Sequence, residues 1–149
     1  MTLHAFTDGA SRGNPGESGI GALVKDEKGN VLRTFHGYIG VSTNNKAEYT
    51  ALITLLERMD GIECEKLIIH SDSELMVRQL SGRYKVRDAG LKVFHRKAAA
   101  LLRRQPFTTE LRHVPREQNH DADRLANLAI NTRSRLTFFS DLQGLPGEQ

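Results

Sequence analysis

The sequence predicts an α/β layered fold that begins with antiparallel strands and later adds parallel ones. Three observations predict it. Two strand-like stretches, Ile20–Lys25 and Val31–Ile39, flank the short polar connection Asp26-Glu27-Lys28-Gly29-Asn30. Such a connection joins antiparallel neighbours. The apolar run Leu67-Ile68-Ile69 and the segment Thr108–Val114 are each preceded by helical periodicity. Strands separated by helices add in parallel.

Leu3–Thr7 reads as the first strand, stopping at Asp8-Gly9, and Ser11–Gly19 reads as a loop containing Arg12-Gly13-Asn14-Pro15-Gly16. A helix follows the third strand. Its apolar positions Leu52, Leu55, Leu56 and Met59 recur at helical spacing. Asn44 or Asn45 is placed to cap it, Asn45 with Glu48 at capping-box spacing, and Gly61 is placed to end it. Leu67-Ile68-Ile69 suits a strand buried on both faces. Ser71–Leu80 reads as a second helix ending near Gly82. Leu91, Phe94, Ala98, Leu101 and Leu102 mark a third. Pro115 closes the strand Thr108–Val114, and a last helix runs from about His120 to Thr132. Residues 1–133 are expected to form one domain, with 134–149 a tail, mobile or partly docked on it.

The 149 residues suffice for one hydrophobic core. No run of roughly 18 apolar residues occurs, which argues against a membrane span. Asp8 and Arg12 arrive too early for a signal-peptide core, so the expected compartment is the cytoplasm. Cys64 is the only cysteine and has no metal-spaced partner, so it is expected to be a buried thiol. Net charge is only +3, yet between Arg83 and Arg104 eight basic residues face a single acid, Asp88. That surface attracts polyanions. A solvated helix face remains the alternative.

Four acids stand out by position. Asp8 ends the first strand and Asp72 follows the apolar one, where open α/β sheets place ligands. Glu48 lies on the apolar side of its own helix, an expensive place for a carboxylate that is neither paired nor metal-bound. Asp123 falls in the first turn of the last helix. Each has a structural alternative: turn residue for Asp8, capping box for Glu48, helix cap for Asp72, helix-dipole partner for Asp123.

Four segments together resemble a known family. Asp8-Gly9 with Gly13-Asn14-Pro15-Gly16, Thr43-Asn44-Asn45-Lys46-Ala47-Glu48-Tyr49, Ser71-Asp72-Ser73, and Val114–Ala126 with Asp123 occur in the order and spacing of type 1 ribonucleases H. The resemblance covers roughly residues 3–132. It implies a ribonuclease H-like fold with a five-stranded mixed sheet, three strands antiparallel and two parallel, flanked by helices. On that fold Asp8, Glu48, Asp72 and Asp123 would converge as metal ligands and catalytic carboxylates, Asp8 and Asp72 most centrally. Oxygen ligands suit Mg²⁺ or Mn²⁺. Two ions with substrate would hydrolyse the RNA strand of an RNA–DNA hybrid, leaving 5′-phosphate and 3′-hydroxyl ends. The protein is expected to act as a monomer.

The resemblance also implies substrate contacts. Asn14, Asn45 and Glu74 match or neighbour positions facing the RNA strand, and Asn14 and Thr43 match positions on the DNA backbone; Asn44 belongs to the same motif. Helix capping is the alternative for Thr43 and Asn45. His120 matches only loosely a histidine that assists proton transfer or product departure. An exposed, incidental histidine is equally open, and Arg116 in the same loop is the substitute, by binding phosphate. The chain departs from well-known bacterial members in lacking their tryptophan-bearing basic protrusion: it has no tryptophan. Lys85, Arg87, Lys92 and Arg96 are the expected replacement, and the overall pattern is similar to compact archaeal-type enzymes. Cleavage of double-stranded RNA or RNA–DNA junctions, and a non-catalytic binding module, are the alternatives. A phosphatase of the haloacid dehalogenase type would need a second aspartate at position 10, which is Ala10.

Overall fold

The computed structural model describes residues 1–133, together with the backbone of two short strands, Thr137–Ser140 and Leu145–Pro146. Strand β1 (Thr2–Gly13) lies at the centre of the sheet. It pairs antiparallel with β2 (Gly16–Lys25), which pairs antiparallel with β3 (Val31–Ser42). On its other side β1 pairs in parallel with β4 (Lys66–Ser71), and β4 with β5 (Thr108–His113). These five strands are the expected mixed sheet.

Two further strands extend the β3 edge. β6 (Thr137–Ser140) pairs antiparallel with β3 from Arg33↔Ser140 to His36↔Thr137, and β7 (Leu145–Pro146) pairs with β6. Residues 134–136, 141–144 and 147–149, on which the expected tail also falls, lie outside the described residues.

The helices divide between the two faces. α1 (Asn44–Glu57) packs on β1 and β2, and α3 (Ala89–Arg104) packs on α1. α1 is thereby enclosed, with Ala47–Tyr49 and Ala51–Leu56 all buried. The core on this face joins Leu3, Ala5, Phe35, Leu52, Leu55, Leu67 and Ile69. α4 (His120–Thr132) lies on the opposite face, against β1, β2 and β3. α2 (Glu74–Leu80) is short and follows β4. Among the described residues no helix is long and apolar enough to cross a membrane.

Several local expectations are corrected. β1 does not stop at Asp8, and Ser11–Gly19 is not a loop. The two strands run to Gly13↔Gly16 as one long hairpin. Its inner polar groups are satisfied within the sheet: Ser11 Oγ donates to Ser42 O at 3.1 Å, and Ser18 Oγ to Gly16 O at 2.8 Å. Small polar residues so paired need no apolar alternation, which hid the strand from a periodicity reading. Neither Asn44 nor Asn45 caps α1. Thr43 is the extended residue before the first turn, and its Oγ1 accepts from Lys46 N at 3.2 Å. Ser73, not Asp72, caps α2. α1 ends at Glu57, before Gly61. Cys64 is only partly buried.

Candidate active site

The parallel register brings two of the four acids together. β1 and β4 pair up to Thr7↔Ser71, so Asp8 within β1 and Asp72 just past the end of β4 come next, side by side. β5 ends level with them at Ser71↔His113. This is the carboxyl end of the parallel strands, where side chains of neighbouring strands stand close.

Glu48 reaches the same place because α1 lies unusually close to β1. A Cβ on Gly9 would stand 2.2 Å from the Ala47 carbonyl carbon and 2.4 Å from Glu48 N. Only glycine permits that approach. Gly9 N then donates to Glu48 Oε1 at 3.1 Å. The capping-box alternative for Glu48 therefore fails, since its carboxylate is spent on another strand. Asp8, Glu48 and Asp72 each offer an oxygen within 4.8 Å of the others.

Asp123 arrives from the opposite face by the same device. A Cβ on Gly21 would meet Ala122 O and Ala126 N at 2.6 Å, and one on Gly19 would meet Ala126 O at 2.5 Å. Two glycines at alternate positions of β2 thus let the α4 backbone settle on the sheet. Asn119, 1% exposed, fixes the start of α4 by donating from Nδ2 to Thr7 O at 2.9 Å, one residue before Asp8. Asp123 accepts Asn127 Nδ2 at 3.2 Å on Oδ1, and Asn127 in turn accepts from Arg12 Nη2 at 3.2 Å. Sequence reasoning missed Gly9, Gly19, Gly21, Asn119, Asn127 and Arg12. The Gly-x-Gly alternation in β2 was the available signal for the helix approach.

The four carboxylates line one open cleft of about 510 Å³, with Arg12, Asn44, Asn45 and Arg116 on its walls. Burial, followed by repulsion from Asp72 and the hydrogen bond to Asp123, raises the Asp8 pKa to about 8, while Arg116 opposes the rise. Glu48 is likewise raised well above the ordinary range, by burial and then by the charges of Asp8 and Asp72. Asp8 therefore holds a proton at neutral pH unless a cation replaces it. An all-oxygen set with raised carboxyl pKa values fits a hard divalent cation.

A second cleft of about 430 Å³ adjoins the first at Asn45 and is lined by Asn14, Thr43, Lys46, Lys85 and Arg87. Asn14 Oδ1 accepts from Asn44 N at 3.1 Å, which joins the hairpin tip to α1. Five of the expected substrate residues therefore meet here. Others do not. Glu74 lines neither cleft, and its carboxylate pairs with Arg78 at 2.7 Å. Lys92 and Arg96 are exposed on α3 outside both. His120 stays outside the main cleft, sharing a shallower hollow with Arg116, Glu117 and Asp123. Of the loop's two candidates, Arg116 alone lines the main cleft.

Residues 6–129 match the family model described as reverse transcriptase-like. The chain is 38% identical over 130 residues to a ribonuclease HI of Halobacterium salinarum, covering 87% of this chain and 64% of that protein. It is 40% identical over 136 residues to a bifunctional protein of Mycobacterium tuberculosis, covering 91% of this chain and 37% of that one. The chain thus spans less than two thirds of the length of either relative. Among solved structures, LC11-RNase H1 in complex with an RNA/DNA hybrid superposes with a TM-score of 0.83 at 42% identity, covering 88% of this chain and 98% of that one.

Proposed function

We propose that this chain, which belongs to the type 1 ribonuclease H family, is a metal-dependent endonuclease that hydrolyses the RNA strand of RNA–DNA hybrids. The observation that carries the reading is the meeting of Asp8, Glu48 and Asp72 within 4.8 Å in a cleft that continues, through Asn45, into a second one with a basic rim. In this reading the two strands of a duplex lie one in each. The hybrid seen with LC11-RNase H1 supports that choice of substrate.

In this reading Asp8 and Asp72 would hold Mg²⁺ or Mn²⁺, with Glu48 and Asp123 completing a site for two ions. Divalent cations bound there would supply an activated water and charge stabilisation for the departing 3′-oxygen. The remaining work falls to this chain's own groups. Gly9 N holds one oxygen of Glu48, which leaves the other for a cation or a substrate 2′-hydroxyl. Arg116 offers a fixed positive charge to a phosphate in the same cleft. His120 stands one helical turn from Asp123, where it can assist proton transfer only from the rim. The partner strand would run over Asn14, Thr43, Lys85 and Arg87, which fit a phosphate backbone. All assigned residues lie on one chain, so the reading needs no second copy.

The test is a cleavage assay on matched hybrid, duplex RNA, duplex DNA and a single-ribonucleotide duplex, each with Mg²⁺ and with Mn²⁺. The expected result is RNA-strand cleavage of the hybrid to 5′-phosphate ends, stopped by chelation and by Asp8→Asn. Wild-type rates in Asp8→Asn, or no hybrid cleavage with either metal, would overturn the assignment.

A further inference from the structure

Asp123 differs from the other three acids in how it is held. Asp8 and Asp72 are fixed by strand register and Glu48 by Gly9 N, and these three alone form the tight group among the described residues. Asp123 is half-exposed on another element, and beside its hydrogen bond with Asp8 its carboxylate has side-chain contacts from its own helix. Asn127, one turn on, supplies them: Nδ2 donates to Asp123 O at 3.0 Å and to Asp123 Oδ1 at 3.2 Å.

The amide of Asn127 has a defined orientation. Arg12 Nη2 donates to Asn127 Oδ1 at 3.2 Å and to Asn127 O at 3.4 Å. A guanidinium can only donate, so the oxygen of the amide must face it and the nitrogen must face Asp123. Arg12 belongs to the β1–β2 hairpin and is 115 residues away in sequence. The contact therefore pins α4 to the hairpin beside the acidic cleft, which Arg12 and Asn127 both line.

The neutral spacer has an electrostatic consequence. A guanidinium paired directly with Asp123 would compete with a cation for its oxygens. Through the amide, Arg12 orients the carboxylate while both charges stay available. One oxygen of Asp123 receives a single amide hydrogen, and its remaining lone pairs serve the hydrogen bond shared with Asp8 or, in its place, a cation. A structural role alone, in which Asn127 merely satisfies a helical carbonyl, needs only the bond to Asp123 O. The bond to Oδ1 and the bond from Arg12 go beyond it.

We infer that Asn127 and Arg12 are positioning residues: Arg12 sets the amide of Asn127, and the amide aims the Asp123 carboxylate at the cation site. The inference rests on the metal-centre reading above. Partners that orient a metal-binding carboxylate raise its affinity, and their removal costs about tenfold or more.

The test is calorimetric titration of the full chain with Mn²⁺ alone, for wild type, Asn127→Leu, Arg12→Leu and the double variant, with hybrid KM and kcat alongside. Asn127→Leu is expected to weaken Mn²⁺ binding by about tenfold. Arg12→Leu should shift it in the same direction by less. The double variant should match Asn127→Leu, because Arg12 acts through the amide. Hybrid cleavage by Asn127→Leu should need more Mn²⁺, with KM unchanged at saturating metal. Mn²⁺ affinity in Asn127→Leu equal to wild type would overturn the inference, and so would additive losses in the double variant. Should Asn127→Leu fail to fold, the exposed Arg12→Leu decides by its own affinity: weakened Mn²⁺ binding supports the inference, and wild-type binding overturns it. A wild type that binds Mn²⁺ but leaves hybrid intact would sink the proposed substrate while leaving this inference standing.

Discussion

Asp8 is 5% exposed, and its neighbours at the cleft floor include two further carboxylates. Its pKa of about 8 stands far above the 3.8 of a free side chain. The consequence for stability has a definite sign. A carboxyl whose pKa is raised by folding favours the folded state fully below its unfolded pKa, and that contribution is lost as pH climbs through the folded value. Without divalent metal the protein should therefore lose stability between about pH 4 and pH 8. Asp8→Asn removes the cost, so the metal-free variant should melt about 3–6 °C higher than wild type at pH 8. The gap should shrink at pH 4, and thermal melts by circular dichroism would measure both. A variant less stable than wild type at pH 8 would contradict the electrostatic picture. All four acids were legible in the sequence because strand ends, one misplaced carboxylate and four ordered motifs named them. The groups that aim them were not. Asn119 looks like an ordinary residue before a helix, and Asn127 like one within it, until the α4 face is known.

Glycines decide how the elements meet. Gly9 admits α1 to β1, and Gly19 and Gly21 admit α4 to β2. Gly9→Ala would drive a methyl into the Ala47–Glu48 peptide, so that backbone must shift away from β1. We expect a loss of about 1–3 kcal/mol in denaturant unfolding. We also expect hybrid cleavage to fall at least a hundredfold, because α1 must retreat with Glu48. Near-wild-type activity in a folded Gly9→Ala protein would show that the close approach is dispensable. The elements themselves were mostly legible. Apolar spacing found α1 and α3, and the apolar run found β4. The hairpin arms beyond Asp8 escaped because Ser11 and Ser18 satisfy themselves on neighbouring carbonyls. For the cap of α1 the sequence offered Asn44 or Asn45 first and Thr43 as an alternative reading, because all three are good capping residues and only backbone angle separates them.

For the whole molecule, the sheet divides the labour. Its parallel strands end at the acidic cleft, while α1 and the segment before α3 carry the second cleft beside it. Charge counting predicted a basic surface but not its internal order. The structure places Lys85 and Arg87 in the groove, and Lys92 and Arg96 farther along α3. Charge reversal at Lys85 and Arg87 should weaken hybrid binding and reduce the slope of log affinity against log salt by about 2. An unchanged slope would remove that groove from the substrate path. The family resemblance supplied what periodicity could not, namely that segments from four parts of the chain share one pocket. The proposed chemistry depends on that convergence, and anomalous diffraction from crystals grown with Mn²⁺ would probe it without any activity assay. A peak bridging the carboxylates of Asp8 and Asp72, within reach of Glu48, is expected. Density for Mn²⁺ only at other surface sites, with those carboxylates bare, would contradict it.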